Sequence, residues 1–210
     1  MIIPSFAVGR AQLVLYYIHK LKQQKRIPHI PVYLDSPMAI DATELWRRYH
    51  TEHRLSAKEV GEVCRTAEYI HTPDQSKALN GVTAPAIIVS ASGMATGGRV
   101  LHHMAHSIGD ERNTILFAGY QAVGTRGARL VHGEKEIKIH GHLLPVRAEI
   151  DNLATLSAHA DYSEILKWLG HFRSAPRKVF LTHGEPEAAT SRPRAACGTW
   201  SRMANDSRAS

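Results

Sequence analysis

Short apolar runs that alternate with amphipathic stretches constrain this chain more than any other feature. The runs 30-IPVYLDS-36, 84-APAIIVSAS-92 and 113-NTILFAGY-120 read as buried strands, and Ile2 and Ile3 as the end of another. Between them stand segments of helical period. The first, Arg10 to Gln24, carries Leu13, Tyr17 and Leu21 at fourfold spacing; 38–50, 56-SAKEVGEVCRTA-67 and Gly98 to His106 follow. Strands separated by helices pair in parallel, because a parallel return needs a long crossover, and the helices then cover the sheet faces. The expected fold class is therefore α/β, a mostly parallel sheet flanked by helices. Ligands of such sheets bind beyond the carboxyl ends of the strands. Polar loops stand at those ends: Asp35-Ser36, Ser90-Ala91-Ser92-Gly93 and Gly119-Tyr120-Gln121.

From residue 133 the pattern changes. The stretch 134-EKEIKIHGHLLPVRAEIDNL-153 alternates apolar and polar residues around a Gly-His turn, the signature of an antiparallel hairpin. A helix over 162–172 and a strand 178-KVFLTH-183 are expected next. This reading gives three parts: residues 1–132, residues 133–187, and a tail 188–210 read as disordered or non-native. No internal repeat is present.

The net charge of +7 suits a polyanionic partner. The tail, with four arginines against Asp206, supplies +3 of it and leaves +4 for the rest. The cysteines, Cys64 and Cys197, fit no metal or redox spacing and are read as free thiols. No apolar run reaches the roughly 20 residues of a membrane span, and the start lacks the pattern of a signal peptide. A cytoplasmic location is expected.

Three kinds of stretch carry chemistry. In 156-LSAHADYSEILKWL-169, Asp161 and Glu164 have the spacing of a helix-capping box, but capping does not account for His159. Its small neighbours leave room for a substrate beside an imidazole, a group that when free titrates at about pH 6.5 and suits proton donation or metal ligation. The other reading is a structural histidine at a helix entrance. In 179-VFLTHGE-185, His183 ends a strand before a glycine, as a metal ligand or a structural residue would. In 89-VSASGMATGGR-99, hydroxyls, glycines and Arg99 at a helix start suit an anion, as 4-PSFAVGRAQ-12 does with Ser5 and Arg10, and 119-GYQAVGTRGARL-130 with Thr125, Arg126 and Arg129. Neither the P-loop nor the dinucleotide fingerprint is matched. His102, His103, His140 and His142 are assigned to surface or packing roles.

Taken in order, IPSFAVGRAQ, YLDSPMA, VSASGMATGGR, FAGYQAVGTRG, and SAHAD followed by LTHGE resemble the β-CASP branch of the metallo-β-lactamase fold, over about residues 1–187. That branch holds RNA-processing endo- and exonucleases of the RNase J kind. The resemblance implies a β-CASP domain followed by the C-terminal part of a metallo-β-lactamase αββα sandwich. It implies two-zinc hydrolysis of RNA phosphodiesters, with zinc as cofactor, His159 as proton donor and His183 as a zinc ligand. Ser5, Arg10, Ser90, Ser92, Gly93, Arg99, Thr125 and Arg126 become candidates for RNA phosphate contacts.

The sequence also departs from the family. The zinc motif His-x-His-x-Asp-His is absent, as is the acid in a Glu-Ser-Thr context, and Asp35 is not carried over to that acid's role. The expectation is an N-terminally truncated member, inactive alone, with a shifted frame after about Ala188. RNA is the expected partner, DNA and a homodimer are left open, and no membrane is expected. The competing readings are a stand-alone nucleic-acid-binding module without catalysis and a small-ester metallohydrolase.

Overall fold

The computed structural model of the chain describes residues 1–153, 155–156, 160–172, 174, 178 and 180. Met1–Ser157 form one compact unit and Ala158–Ser210 a second.

The first unit is built on six strands: β1 (Ile2–Pro4), β2 (Val32–Leu34), β3 (Glu68–Tyr69), β4 (Ile87–Ser90), β5 (Thr114–Phe117) and β8 (Glu149–Asn152). Their order is β3-β2-β4-β1-β5-β8, and every pairing is parallel. The connecting helices are α1 (Arg10–Gln23), α2 (Pro37–Arg48), α3 (Ala57–Cys64), α4 (Pro73–Leu79), α5 (Arg99–Ser107) and α6 (Arg126–Val131). The α/β architecture with a parallel sheet is thus the one the alternation requires.

Successive strand residues face opposite sides, so neighbours in sequence enter different cores. Ile3, Val32, Leu34, Ile87 and Val89 join Val14, Leu15, Ile18, Ile40 and Val63 of α1–α3 in one core. Ile2, Ile115 and Phe117 join Val100, Leu101 and Met104 of α5 and Leu130 of α6 in the other. The helix over residues 10–23 forms where expected, but its buried stripe differs. Ala11, Val14, Leu15 and Ile18 face the sheet, while Tyr17 is exposed. The spacing i, i+3, i+4, i+7 is the broader stripe that a helix lays on a sheet.

The helix starts are specified locally. Ser36 caps α2, its hydroxyl accepting from the Ala39 amide, and Pro37 follows at the first helical position. Ser36→Ala should lower stability by about 1 kcal/mol, and Ser36→Gly by a few tenths, in urea titrations.

The hairpin also forms. β6 (Glu136–Ile139) and β7 (His142–Pro145) pair antiparallel with Ile139 opposite His142. His140 and Gly141 both have positive φ, the requirement of a two-residue type I′ turn. The hairpin's second arm ends at Pro145, however. The following residues reach the sheet edge as β8, so the change of character at residue 133 falls inside the first unit.

In the second unit, α7 (Tyr162–Leu169) starts with the capping box read from the sequence: the Asp161 carboxylate accepts from the Glu164 amide and the Glu164 carboxylate accepts from the Asp161 amide. It ends three residues earlier than expected. Trp168 and Phe172 pack edge to face at 5.5 Å and remain exposed. The strand expected at 178–183, His159, His183 and the tail lie outside the described residues. Among the described residues no helix is long and apolar enough to cross a membrane.

Candidate nucleic-acid interface

The sheet order locates a crevice. β1 and β4 are neighbours, yet the chain leaves β1 towards β2 and leaves β4 towards β5. α1 and α5 consequently lie on opposite faces and part the loops above the two strand ends. This is the topological switch point at which open α/β sheets bind ligands. Its loops are Ser5–Gly9 after β1 and 91–98 after β4, with Asp35–Ser36 and 118–125 on either side.

These loops are tied together at their base. The Ser5 amide donates to the Ser90 carbonyl, and the Ser90 hydroxyl donates to the Asp35 carbonyl at 2.6 Å. The Ser92 hydroxyl accepts from the Thr96 and Gly97 amides and closes the glycine-rich loop on itself. Gln121 reaches across from the β5–α6 loop, its amide nitrogen donating to the Gly93 and Gly119 carbonyls. Gly93 lies against Phe6: a Cβ there would stand 2.9 Å from the Phe6 amide nitrogen.

Below the crevice sits a buried charge cluster that the sequence does not announce. Asp35 is 0% exposed. Its Oδ1 meets Arg99 Nη1 at 2.7 Å, and its Oδ2 accepts from His103 Nε2 at 2.6 Å and from the Ser76 hydroxyl at 2.5 Å. Arg99 also donates to the Ile70 and His71 carbonyls. His103 Nδ1 lies 2.8 Å from Asn80 Oδ1. Burial pushes the Asp35 carboxyl up, but the hydrogen bonds from His103, Ser76 and Arg99, with the charge on His103, outweigh it and hold the carboxyl below its ordinary value. One signal was available: Arg99 and His103 are four apart on one helix and share a face.

The candidate phosphate residues therefore divide. Arg99 spends its guanidinium on Asp35 and two carbonyls, and Arg126 donates to the Lys138, Ala95 and Thr96 carbonyls. Thr125 caps α6, with its hydroxyl donating to the Ala122 carbonyl. Ser90, Ser92 and Gly93 shape the loop. Ser5 and Arg10 differ. The Ser5 hydroxyl and the Arg10 Nε and Nη1 are buried without a hydrogen-bond partner among the described residues. The Arg10 guanidinium lies against Gly119, 3.7 Å from where a Cβ would stand, and burial lowers its pKa. Neither α1 nor α5 has a side-chain cap or an acidic residue in its first turn, so two positive helix ends face the crevice. Phe6 and Tyr120 are exposed beside it.

Fold and crevice together define a parallel α/β domain whose switch point holds two helix starts and the buried Arg10 guanidinium. The Beta-Casp domain family matches residues 11–130, and the family described as Zn-dependent metallo-hydrolase RNA specificity domain matches residues 143–192. The chain belongs to the Beta-Casp family. It is 39% identical over 194 residues to "Ribonuclease TTHA0252" of Thermus thermophilus, covering 89% of this chain and 43% of that protein. It is 33% identical to the "RNase J-like protein" of Methanocaldococcus jannaschii, over 88% of this chain and 43% of that one. It is 32% identical to "Transcription termination factor FttA" of Methanosarcina mazei, over 89% and 31%. The chain thus spans less than half the length of these relatives.

Proposed function

We propose that this chain is the RNA-holding part of a zinc-dependent ribonuclease of the metallo-β-lactamase fold. The observation that carries the reading is the unsatisfied pair at the switch point, Ser5 Oγ and the Arg10 guanidinium. Buried donors without partners are costly, and a charge-assisted bond to a phosphate oxygen offsets that cost. A nucleic-acid backbone presents such oxygens at regular intervals, and the net charge of +7 favours it over a neutral ligand. The relatives named as ribonucleases support RNA as the polymer.

Within this reading His159 donates the proton to the leaving oxygen and His183 is one zinc ligand. Both assignments rest on the family resemblance. Among the described residues no three of His, Cys, Asp or Glu gather as a metal site. The sequence holds no His-x-His-x-Asp-His motif. We therefore propose that the chain by itself holds RNA without cleaving it.

Zinc content and cleavage of single-stranded RNA, measured on one purified sample, test this. Bound RNA with substoichiometric zinc and no cleavage is expected. Stoichiometric zinc that is lost in His183→Ala, with cleavage lost in His159→Ala, would show instead that the chain completes its own site. A protein that binds no RNA at any salt concentration refutes the reading outright. Arg10→Gln should lower the slope of log affinity against log salt by about 1, as loss of one phosphate contact does. An unchanged slope in anisotropy titrations would place the phosphate contacts elsewhere.

A further inference from the structure

A pocket of about 900 Å³ opens between α1 and α2. Val8 and Gly9 line it and belong to the same β1–α1 loop as Ser5, so the pocket adjoins the loop that forms one side of the switch-point crevice. Its volume falls in the range of about 300–1,000 Å³ usual for small-molecule sites. Four aromatic rings stand among its aliphatic and polar lining residues: Tyr16, Trp46, Tyr49 and His53. Trp46 and His53 stack at 4.8 Å between centroids and 9° between planes. Tyr49 is 57% exposed, which leaves much of it open.

One polar group singles out the ligand. His53 Nε2 donates to the Trp46 carbonyl at 3.2 Å, which leaves Nδ1 an acceptor in the neutral ring. Nδ1 is buried and has no partner among the described residues. Glu52 and Arg54 both line the pocket, so its charge is balanced and the buried acceptor is the polar feature that distinguishes it. Flat π-surfaces and one buried acceptor match a planar heteroaromatic ring that carries an N–H donor. An apolar peptide would satisfy the walls and leave the acceptor unused.

We propose that this pocket takes a nucleobase of the single-stranded RNA whose backbone crosses the switch point. The inference rests on the RNA-holding reading and deepens it: Arg10 and Ser5 meet the backbone, and the aromatic pocket takes a base beside them. Stacking tolerates every base, so the pocket adds affinity with weak sequence preference.

The test is an anisotropy titration of a labelled short oligoadenylate and of its abasic counterpart, on the full chain and on Tyr49→Ser. Tyr49 lies on the surface, and equal thermal midpoints confirm that the variant folds. The expected result is a roughly 10-fold loss of affinity for oligoadenylate and none for the abasic strand. Equal losses on both strands, or no loss on either, overturn the proposal. If the wild-type chain binds neither strand, the RNA-holding reading fails by itself, and adenosine monophosphate decides the pocket. Saturable quenching of tryptophan fluorescence that disappears in Trp46→Phe upholds a base site, and its absence overturns one. An apolar peptide that binds while adenosine monophosphate does not assigns the pocket to a protein partner and likewise overturns it.

Discussion

Asp35→Ala is expected to cost about 3–5 kcal/mol of stability, the range for breaking a buried ion pair by removing one partner. The carboxylate is fully buried, and its partners cannot turn to water: His103 is 1% exposed and the Arg99 side chain 18%. Without Asp35 the Arg99 charge and the Ser76 hydroxyl stay buried and unpaired. Urea unfolding at neutral pH measures the loss; a cost below about 1 kcal/mol would mean that the cluster relaxes. The pH dependence follows in sign. The folded carboxyl titrates below its ordinary value of 3.8, so its stabilisation is present above that value and is lost as the pH falls through the lower folded one. The advantage of the wild type over Asp35→Asn should therefore hold at neutral pH and shrink below pH 3.8.

Gly98→Ala should cost about 3 kcal/mol, from two sources that add. Gly98 has φ +78° and ψ −175°, a backbone region nearly exclusive to glycine, worth about 1–3 kcal/mol of strain in any other residue. A Cβ there would also stand 2.5 Å from the Ala91 carbonyl oxygen, and backbone cannot yield as a side chain can. Crowding of this kind costs about a further 1–3 kcal/mol. The neighbouring Gly97 has open space where its Cβ would be, so Gly97→Ala is the internal control and should change stability by less than about 1 kcal/mol. Equal unfolding midpoints for the two variants would contradict this account of the loop. Gly98→Ala should also weaken RNA binding, because the 91–98 loop forms one wall of the crevice.

The long strands and helices were legible because each carries its own signal. The apolar runs that became β2, β4 and β5 sit between amphipathic segments, and Asp161 with Glu164 marks a helix start by chemistry alone. The short elements were not legible. β3 is two residues, Glu68 and Tyr69, too short for any alternation to show. β8 reads EIDN, with one apolar residue in four, because it is an edge strand held by its neighbour and not by its own hydrophobicity. α4 starts at Pro73 in a polar stretch, and only its capping box, Thr72 with Gln75, marks it.

The placement of the candidate loops was legible in outline. The loops SFAVGR, SASG and GTRG do gather at one end of the sheet, as parallel strands must place them. Which of their side chains remain available could not be read, because that depends on residues far away in sequence. Arg99 is consumed by Asp35, 64 positions before it, and Arg126 by carbonyls 12 and 31 positions away. Arg10 looks equivalent to both in sequence and is set apart because its Nε and Nη1 are buried without a hydrogen-bond partner among the described residues. His103, assigned with three other histidines to surface or packing roles, packs in the interior against Asp35, a partner 68 positions before it.

Photo-crosslinking of thiouridine-substituted single-stranded RNA to the chain, with the modified peptides identified by mass spectrometry, tests the central claim most directly. An RNA backbone held at the switch point predicts adducts on the peptides that carry Phe6 and Tyr120, reduced in Arg10→Gln. Adducts confined to the arginine-rich residues 188–210 would place RNA binding in the tail and contradict the claim.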